Sequence, residues 1–227
     1  MKHTVTDIFF DLDHTLWDFE KNSALTFEKI LKEHKIPLPL ETFLDTYRPL
    51  NLEYWKMYRE ERITQEKLRY GRLKSTFDAL AYPVEDTLID LLATAYIAEL
   101  PNYTHLFEDA ISVLEYLKPR YKLHIITNGF EEVQHKKLKS TALHPYFIHI
   151  ITSEAMGVKK PNPLIFEHAL EKAAVAPRNT VMIGDSLEAD ILGAKQAGMH
   201  TIHLNHYRET HNHGITITTL SEIKQYL

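Results

Sequence analysis

The sequence predicts an α/β fold: a parallel sheet flanked by helices, with a block of helices inserted after the first strand. Two patterns predict it. From about residue 120 onward, short apolar runs alternate with amphipathic stretches, and strands separated by helices of that length form βαβ units and so a parallel sheet. Between Phe19 and about Leu100 no convincing strand occurs, and the segments there carry apolar residues at helical spacing.

The first strand is expected over about Asp7 to Leu12, in "DIFFDLDHTLW". Four helical segments follow: "NSALTFEKILKEHK", "LETFLDTYRPLNLEYWKMYREE", "TQEKLRYGRLKSTFDAL" and "VEDTLIDLLATAYIAEL", punctuated by Pro37, Pro39 and Pro83. The remaining pattern begins with "YKLHIITNG", a β-rich run ending in a turn signal, and "FEEVQHKKLKSTAL", which has helical spacing. "FIHIITS" then "NPLIFEHALEKAAV", "TVMIGDS" then "EADILGAKQAG", and finally "HTIHLN" repeat the alternation. The polar "HYRETHNHG" reads as a loop. Residues 1–18 and 101–227 are thus expected to form a Rossmann-like core and residues 19–100 a helical insertion. In an open sheet of this kind ligands bind beyond the carboxyl ends of the strands.

Composition narrows the function. The chain has 227 residues, 44% hydrophobic and 25% charged, enough for one large domain or a core with an insertion. Its formal net charge of -5 disfavours a nucleic-acid polymer or an anionic membrane as partner. The absence of cysteine removes disulfides, thiolate nucleophiles and Cys-type zinc sites. No apolar leader or bilayer-length run is present, so the expectation is a cytoplasmic protein, monomeric or weakly homodimeric.

Four strand ends carry groups suited to phosphate or to chemistry: Asp11 and Asp13; Thr127 and Asn128; Lys160, just before "PNP"; and Asp185 with Ser186. In a parallel sheet these ends share one edge. Carboxylates meeting there would repel by roughly 4 kcal/mol per pair at about 4 Å and an effective dielectric near 20. One ammonium cannot neutralise them once an anionic substrate arrives. A hard divalent cation can, and Mg²⁺ takes one or two carboxylates together with phosphate oxygens and water.

The motifs "DLDHT", "ITNG", "KKPNP" and "GDSLEAD", in this order, resemble the four motifs of the haloacid dehalogenase-like (HAD) phosphohydrolases, and the helical insertion is similar to that superfamily's C1-type cap. "IITNGF", "GVKKPNPLIF" and "GDSLEADILGAKQAG", with "LNLEYWKMYREERIT" and "LRYGRL" in the insertion, are similar to its noncanonical pyrimidine nucleotidase branch, which are 5'-nucleotidases. The resemblance implies Asp11 as nucleophile, forming an aspartyl-phosphate, and Asp13 as general acid/base. It implies Asp11, Asp185 and the backbone carbonyl of Asp13 as ligands of Mg²⁺. Thr127 and Asn128 would hold the phosphoryl oxygens, and Lys160 would stabilise charge on both nucleophile and phosphoryl group. Asp190 and Ser186 would stand behind these groups, with Asp190 orienting Lys160 or a metal-bound water.

Plainer readings exist for each residue. Asp11 and Asp13 could form a turn with Asx bonds, Asn128-Gly129 is common turn chemistry, and Asp185 or Ser186 could simply cap a helix. Lys160 could be an ordinary surface lysine; its neighbour Lys159 is expected to be solvated. His200, His203, His206, His211 and His213 crowd together without the helix-face spacing of a zinc site. His14 reads as a lining residue. Tyr47, Tyr54, Trp55 and Tyr58 read as helix packing, with Trp55 and Tyr58 also candidates for a nucleotide pocket. Trp17 and Phe19, just past the nucleophile, are further pocket candidates. The expected substrate is a small phosphomonoester, preferably a pyrimidine nucleoside 5'-monophosphate. The rivals are a sugar-phosphate or phosphoglycolate phosphatase, a phosphomutase, and a non-catalytic nucleotide-binding regulator.

Overall fold

β1 (Asp7–Phe10) is buried along its whole length, because parallel strands are covered on both faces, and its Ile-Phe-Phe run suits that position. In this computed structural model, which describes residues 4–206, 208 and 210–227, it lies inside a six-stranded sheet. The other strands are β2 (Lys122–Thr127), β3 (His149–Thr152), β4 (Thr180–Gly184), β5 (His200–Leu204) and β6 (Ile215–Ile217). Their order is β3-β2-β1-β4-β5-β6 and every pairing is parallel. Phe10 is in register with Ile125 of β2 and Ile183 of β4. The order reverses between β1 and β4, and this switch point is where an open α/β sheet offers its ligand crevice.

The chain divides into two compact units, Met1–Phe19 with Thr104–Leu227, and Glu20–Tyr103. The helical insertion comprises α1 (Phe19–Glu33), α2 (Leu40–Arg59), α3 (Gln65–Ala79) and α4 (Asp86–Glu99). The sheet unit carries α5 (Ala110–Leu117), α6 (Glu131–Ser140), α7 (Ser153–Met156), α8 (Pro163–Ala173) and α9 (Gly193–Gln196). Phe9, Ile126, Ile151 and Met182 from the sheet pack with Ile165, Phe166, Ala169 and Leu170 of α8 and Ala194 of α9. Each of the Ile, Leu, Phe and Met side chains contributes roughly 1.5–3 kcal/mol on burial.

In the helical unit the amphipathic faces meet around Phe27, whose ring lies 4.8 Å from Phe43, 4.6 Å from Tyr47 and 4.6 Å from Tyr96. Arg72 is buried among them, donating to Asn51 Oδ1 at 2.9 Å with its guanidinium 4.9 Å from the Tyr96 ring. Tyr47 belongs to this core, and the Tyr54 hydroxyl bonds Ser75 Oγ at 2.9 Å, so both are packing residues. α2 runs through Pro49 without ending, the helix-packing interior outweighing the lost backbone bond.

Four features depart from the sequence expectation. β1 ends at Phe10, not about Leu12, because the chain turns at His14, which takes a left-handed φ of 60°. α5, which leads into β2, and β6, a three-residue edge strand, were not anticipated. The helix after β4 opens as a π-helical turn over Leu187–Leu192, and only Gly193–Gln196 is α-helical. The described part of "HYRETHNHG" has no regular structure, while Tyr207 and Glu209 lie outside the described residues.

β1 and β2 are also joined by a buried polar pair, His124 Nε2 to Asp7 Oδ1 at 3.0 Å, with the imidazole stacked on Phe9 at 4.7 Å. Burial lowers the His124 pKa, and Asp7 only partly offsets this. A lowered folded-state pKa means the neutral form is favoured in the fold. The stability it contributes is whole above the unfolded pKa of about 6.5 and is lost as pH falls from there through the lower folded value. His124→Gln, which can still donate to Asp7, is expected to flatten the decline in the urea midpoint between about pH 7.5 and about 5.5 relative to wild type. An unchanged slope would assign the decline to other groups.

Candidate active site

The carboxyl ends of β1, β2 and β4 gather the polar residues at one edge. Asp11 directly follows β1, and its backbone N–H still donates to Ile183 O of β4 at 2.9 Å. The next residues fold into a tight turn, with Leu12 O accepting from Leu16 N and Trp17 N, both at 2.9 Å. His206 Nε2 donates to the His14 carbonyl at 2.7 Å and braces this turn.

Lys160 is buried at 2% exposure, and its ammonium is fully engaged. Nζ donates to Asp11 Oδ1 at 2.6 Å and to Ile126 O at 2.8 Å, and lies 2.7 Å from Asp190 Oδ1. The surface-lysine reading of Lys160 is therefore excluded; Lys159, the neighbour expected to be solvated, is half-buried. The loop that delivers Lys160 is clasped by Asn128, which accepts from Lys160 N at 2.8 Å and donates to Lys160 O at 2.9 Å, ahead of a cis Lys160–Pro161 bond. Asn128 thus spends most of its amide on shaping the lysine loop. Thr127 Oγ1 accepts from Gly129 N at 3.1 Å and Gln134 Nε2 at 2.7 Å. With both lone pairs taken, its hydroxyl hydrogen is the donor it has left to offer.

Asp185 follows β4 and is half-buried; Thr15 Oγ1 donates to its Oδ1 at 3.3 Å and His203 Nε2 to its carbonyl at 2.8 Å. Ser186 caps the π-helical turn, its Oγ accepting from Ala189 N at 3.1 Å, while its own N–H donates to Asp190 Oδ2 at 3.0 Å. Gly184 is required here: a Cβ on it would fall 2.2 Å from Asp190 Oδ2. Carboxylate oxygens of Asp11, Asp185 and Asp190 lie within 4.8 Å of one another. Burial first, then the neighbouring acids, hold the Asp11 carboxyl well above the usual carboxylate range and push Asp185 up to about 8. Lys160 is raised in turn by Asp11 and Asp190 against the opposing effect of its own burial.

With all three acids ionised, one ammonium would leave uncompensated negative charge, which either protons or a cation must relieve. An oxygen-only donor set with excess negative charge suits a hard divalent cation such as Mg²⁺. Asp13 stands outside the trio. Its carboxylate receives Lys137 Nζ at 2.5 Å on Oδ1 and Gln134 Nε2 at 2.9 Å on Oδ2. Trp17 and Phe19 flank that pair, Lys137 Nζ lying 4.0 Å from the Trp17 ring and 5.6 Å from the Phe19 ring. Trp55 and Tyr58 belong to the helical unit, where their rings meet edge to face at 5.8 Å. His203 Nδ1 and His211 Nε2 approach to 2.6 Å, so these histidines brace the Asp185 backbone.

Thr15, Gln134 and Lys137 could not be singled out from the sequence. Thr15 sits inside "DLDHT", but Gln134 and Lys137 look like any polar positions of an amphipathic helix; only their three-residue spacing, which puts both on one face, was visible.

Known proteins share this architecture. The model of the haloacid dehalogenase-like hydrolase family matches residues 8–204. The chain is 35% identical to pyrimidine 5'-nucleotidase YjjG of Escherichia coli, covering 97% of this chain and 96% of that one. It is 33% identical to pyrimidine 5'-nucleotidase PynA of Streptococcus pneumoniae, covering 90% and 86%. The crystal structure of YfnB from Bacillus subtilis bound to magnesium superposes with a TM-score of 0.89 at 28% identity, covering 98% of both chains. Among the described residues no helix is long and apolar enough to cross a membrane. By its sheet, its motif-bearing strand ends and a match spanning most of its length, the chain belongs to the haloacid dehalogenase-like hydrolase family.

Proposed function

We propose that the protein is a Mg²⁺-dependent phosphomonoesterase that works through an aspartyl-phosphate, with pyrimidine nucleoside 5'-monophosphates as preferred substrates. The observation that carries this reading is the meeting of Asp11, Asp185 and Asp190 around Lys160 at the switch point of the sheet. Asp11 and Asp185, with the Asp13 carbonyl, would hold the metal, which supplies charge neutralisation for the phosphoryl oxygens. Asp11 attacks phosphorus, and the bond to the leaving oxygen breaks as Asp13 gives that oxygen a proton. Asp13 then takes a proton from water, whose oxygen attacks phosphorus and frees Asp11 and inorganic phosphate. Lys160 holds the nucleophile's oxygen in place, Asp190 holds Lys160, and the Thr127 hydroxyl donates to a phosphoryl oxygen.

The nucleotide preference draws its support from the relatives named pyrimidine 5'-nucleotidases. We assign the helical unit the role of cap, and Trp17, Phe19, Trp55 and Tyr58 a share in choosing the leaving group. Steady-state rates over UMP, dTMP, AMP, phosphoglycolate and hexose phosphates, with and without Mg²⁺, test the reading. A kcat/KM for UMP or dTMP at least about tenfold above the other esters is expected, a gap of roughly 1.4 kcal/mol in transition-state binding. Preference for glycolate or hexose phosphates would replace the nucleotidase assignment, and inertness toward every ester with Mg²⁺ would favour a binding protein.

A further inference from the structure

Lys137 of α6 is 2% exposed and among the largest fully buried side chains. An ammonium in such a place costs several kcal/mol unless it is paired, and packing alone would be served by Met or Leu. Its acid is Asp13, at 2.5 Å, and its Nζ also lies 4.0 Å from the Trp17 ring centroid. One helical turn back, Gln134 donates from the same Nε2 to Asp13 Oδ2 at 2.9 Å and to Thr127 Oγ1 at 2.7 Å. The loop before α6 is cut to fit this amide: a Cβ at Gly129 would lie 2.4 Å from Gln134 Cδ and Nε2. Both oxygens of Asp13 are therefore held from one helix face, and the same amide ties that carboxylate to the Thr127 hydroxyl.

We propose that Lys137 and Gln134 are positioning residues that fix the Asp13 carboxylate for both of its proton transfers. The inference rests on the phosphatase reading above and goes beyond it. Each carboxylate oxygen has a second lone pair, so a proton can be carried on Asp13 without breaking either contact. In the first step that proton goes to the leaving alkoxide as the ester P–O bond breaks and the Asp11–phosphorus bond forms. In the second step Asp13 receives a proton from the water that displaces Asp11 from phosphorus. A carboxylate free to rotate would miss both alignments.

The test uses the full chain with Mg²⁺, comparing wild type with Lys137→Met and Gln134→Met on UMP and on p-nitrophenyl phosphate. Nitrophenolate leaves without a proton, so its release bypasses the first duty of Asp13 but not the second. Wild type inert on both esters and on the wider ester panel would overturn the phosphatase reading and this inference with it, a result read before any variant is made. For Lys137→Met we expect kcat on UMP to fall about 10²-fold, within the usual range for general acid–base catalysis, with KM changed less than about threefold. On p-nitrophenyl phosphate a rapid-mixing burst of about one equivalent should persist at close to the wild-type rate, followed by slow turnover. Gln134→Met should show the same split with a smaller loss. Equal slowing of burst and turnover would mean the substitutions merely disturb the site, and undiminished turnover in both variants would mean that Asp13 needs no clamp; either overturns the inference. Circular dichroism and the thermal midpoint establish folding, and Gln134→Met, which leaves the Lys137–Asp13 pair in place, carries the test if Lys137→Met does not fold.

Discussion

Asp11→Asn is expected to remove at least about 10⁴-fold from kcat toward any phosphomonoester and to leave the fold intact. The substitution is nearly isosteric, so the amide still fills the space beside Lys160, whose ammonium keeps its bond to Ile126 O at 2.8 Å and its pair with Asp190 at 2.7 Å. What is lost is the charged oxygen that would form the bond to phosphorus. Among the described residues the neighbouring carboxylates are already engaged. Asp13 is tied to Lys137 and Gln134, Asp190 to Lys160 and the Ser186 N–H, and Asp185 to Thr15. The variant also sheds one of three mutually repelling acids, whose burial holds the Asp11 carboxyl high. Its thermal midpoint without metal should therefore equal or exceed that of wild type. Loss of activity together with retained or raised stability marks a nucleophile. Residual activity above a few per cent, or a large fall in stability, would show that Asp11 serves the structure and that another group attacks.

The sheet was legible because parallel strands must be apolar on both faces. "IFF", "LHIIT" and "VMIG" could hardly be anything else, and the acids at their ends stood out against that background. β6 was not legible. "ITI" is three residues long and lies at the edge, where one neighbour and solvent impose little pattern. The early end of β1 escaped notice because it depends on His14 taking a left-handed conformation, which is open to Asn, Asp and His but not required of them. Within the site, residues carried by motif spacing were visible and residues recruited by packing were not. Lys137 looks solvated in a helix that also contains Lys136 and Lys139; only the fold reveals that its side chain runs inward to Asp13. The reverse holds for Asn128: its turn chemistry was plain, whereas the two bonds its amide makes to the Lys160 backbone belong to the fold.

Asp185 should tie stability to pH and to Mg²⁺ in opposite ways. Burial, and then the Asp190 carboxylate, push its pKa from the usual 3.8 up to about 8. A carboxyl raised in the folded state binds its proton more tightly there than in the unfolded chain. Its favourable contribution is whole below the unfolded value and drains away as pH rises through the folded one. Metal-free protein is therefore expected to lose stability between about pH 4 and about pH 8, the reverse of the usual salt-bridged carboxylate. Because Asp185 is only half-buried, water screens part of the penalty, and about 1–3 kcal/mol is the reasonable size, or several degrees in Tm for a chain of this length. A divalent cation bound by the deprotonated acids reverses the sign, raising Tm more at pH 8 than at pH 5 by mass action on the folded state. Asp185→Asn separates the two effects: it should flatten the metal-free pH slope, stabilise the metal-free protein near pH 8, abolish the Mg²⁺-induced rise in Tm, and lower kcat at least about 10²-fold. Differential scanning calorimetry at several pH values, with chelator and with Mg²⁺, reads all but the last. If the variant is destabilised equally with and without Mg²⁺, the repulsion among Asp11, Asp185 and Asp190 does not govern this site, and neither does a cation held between them.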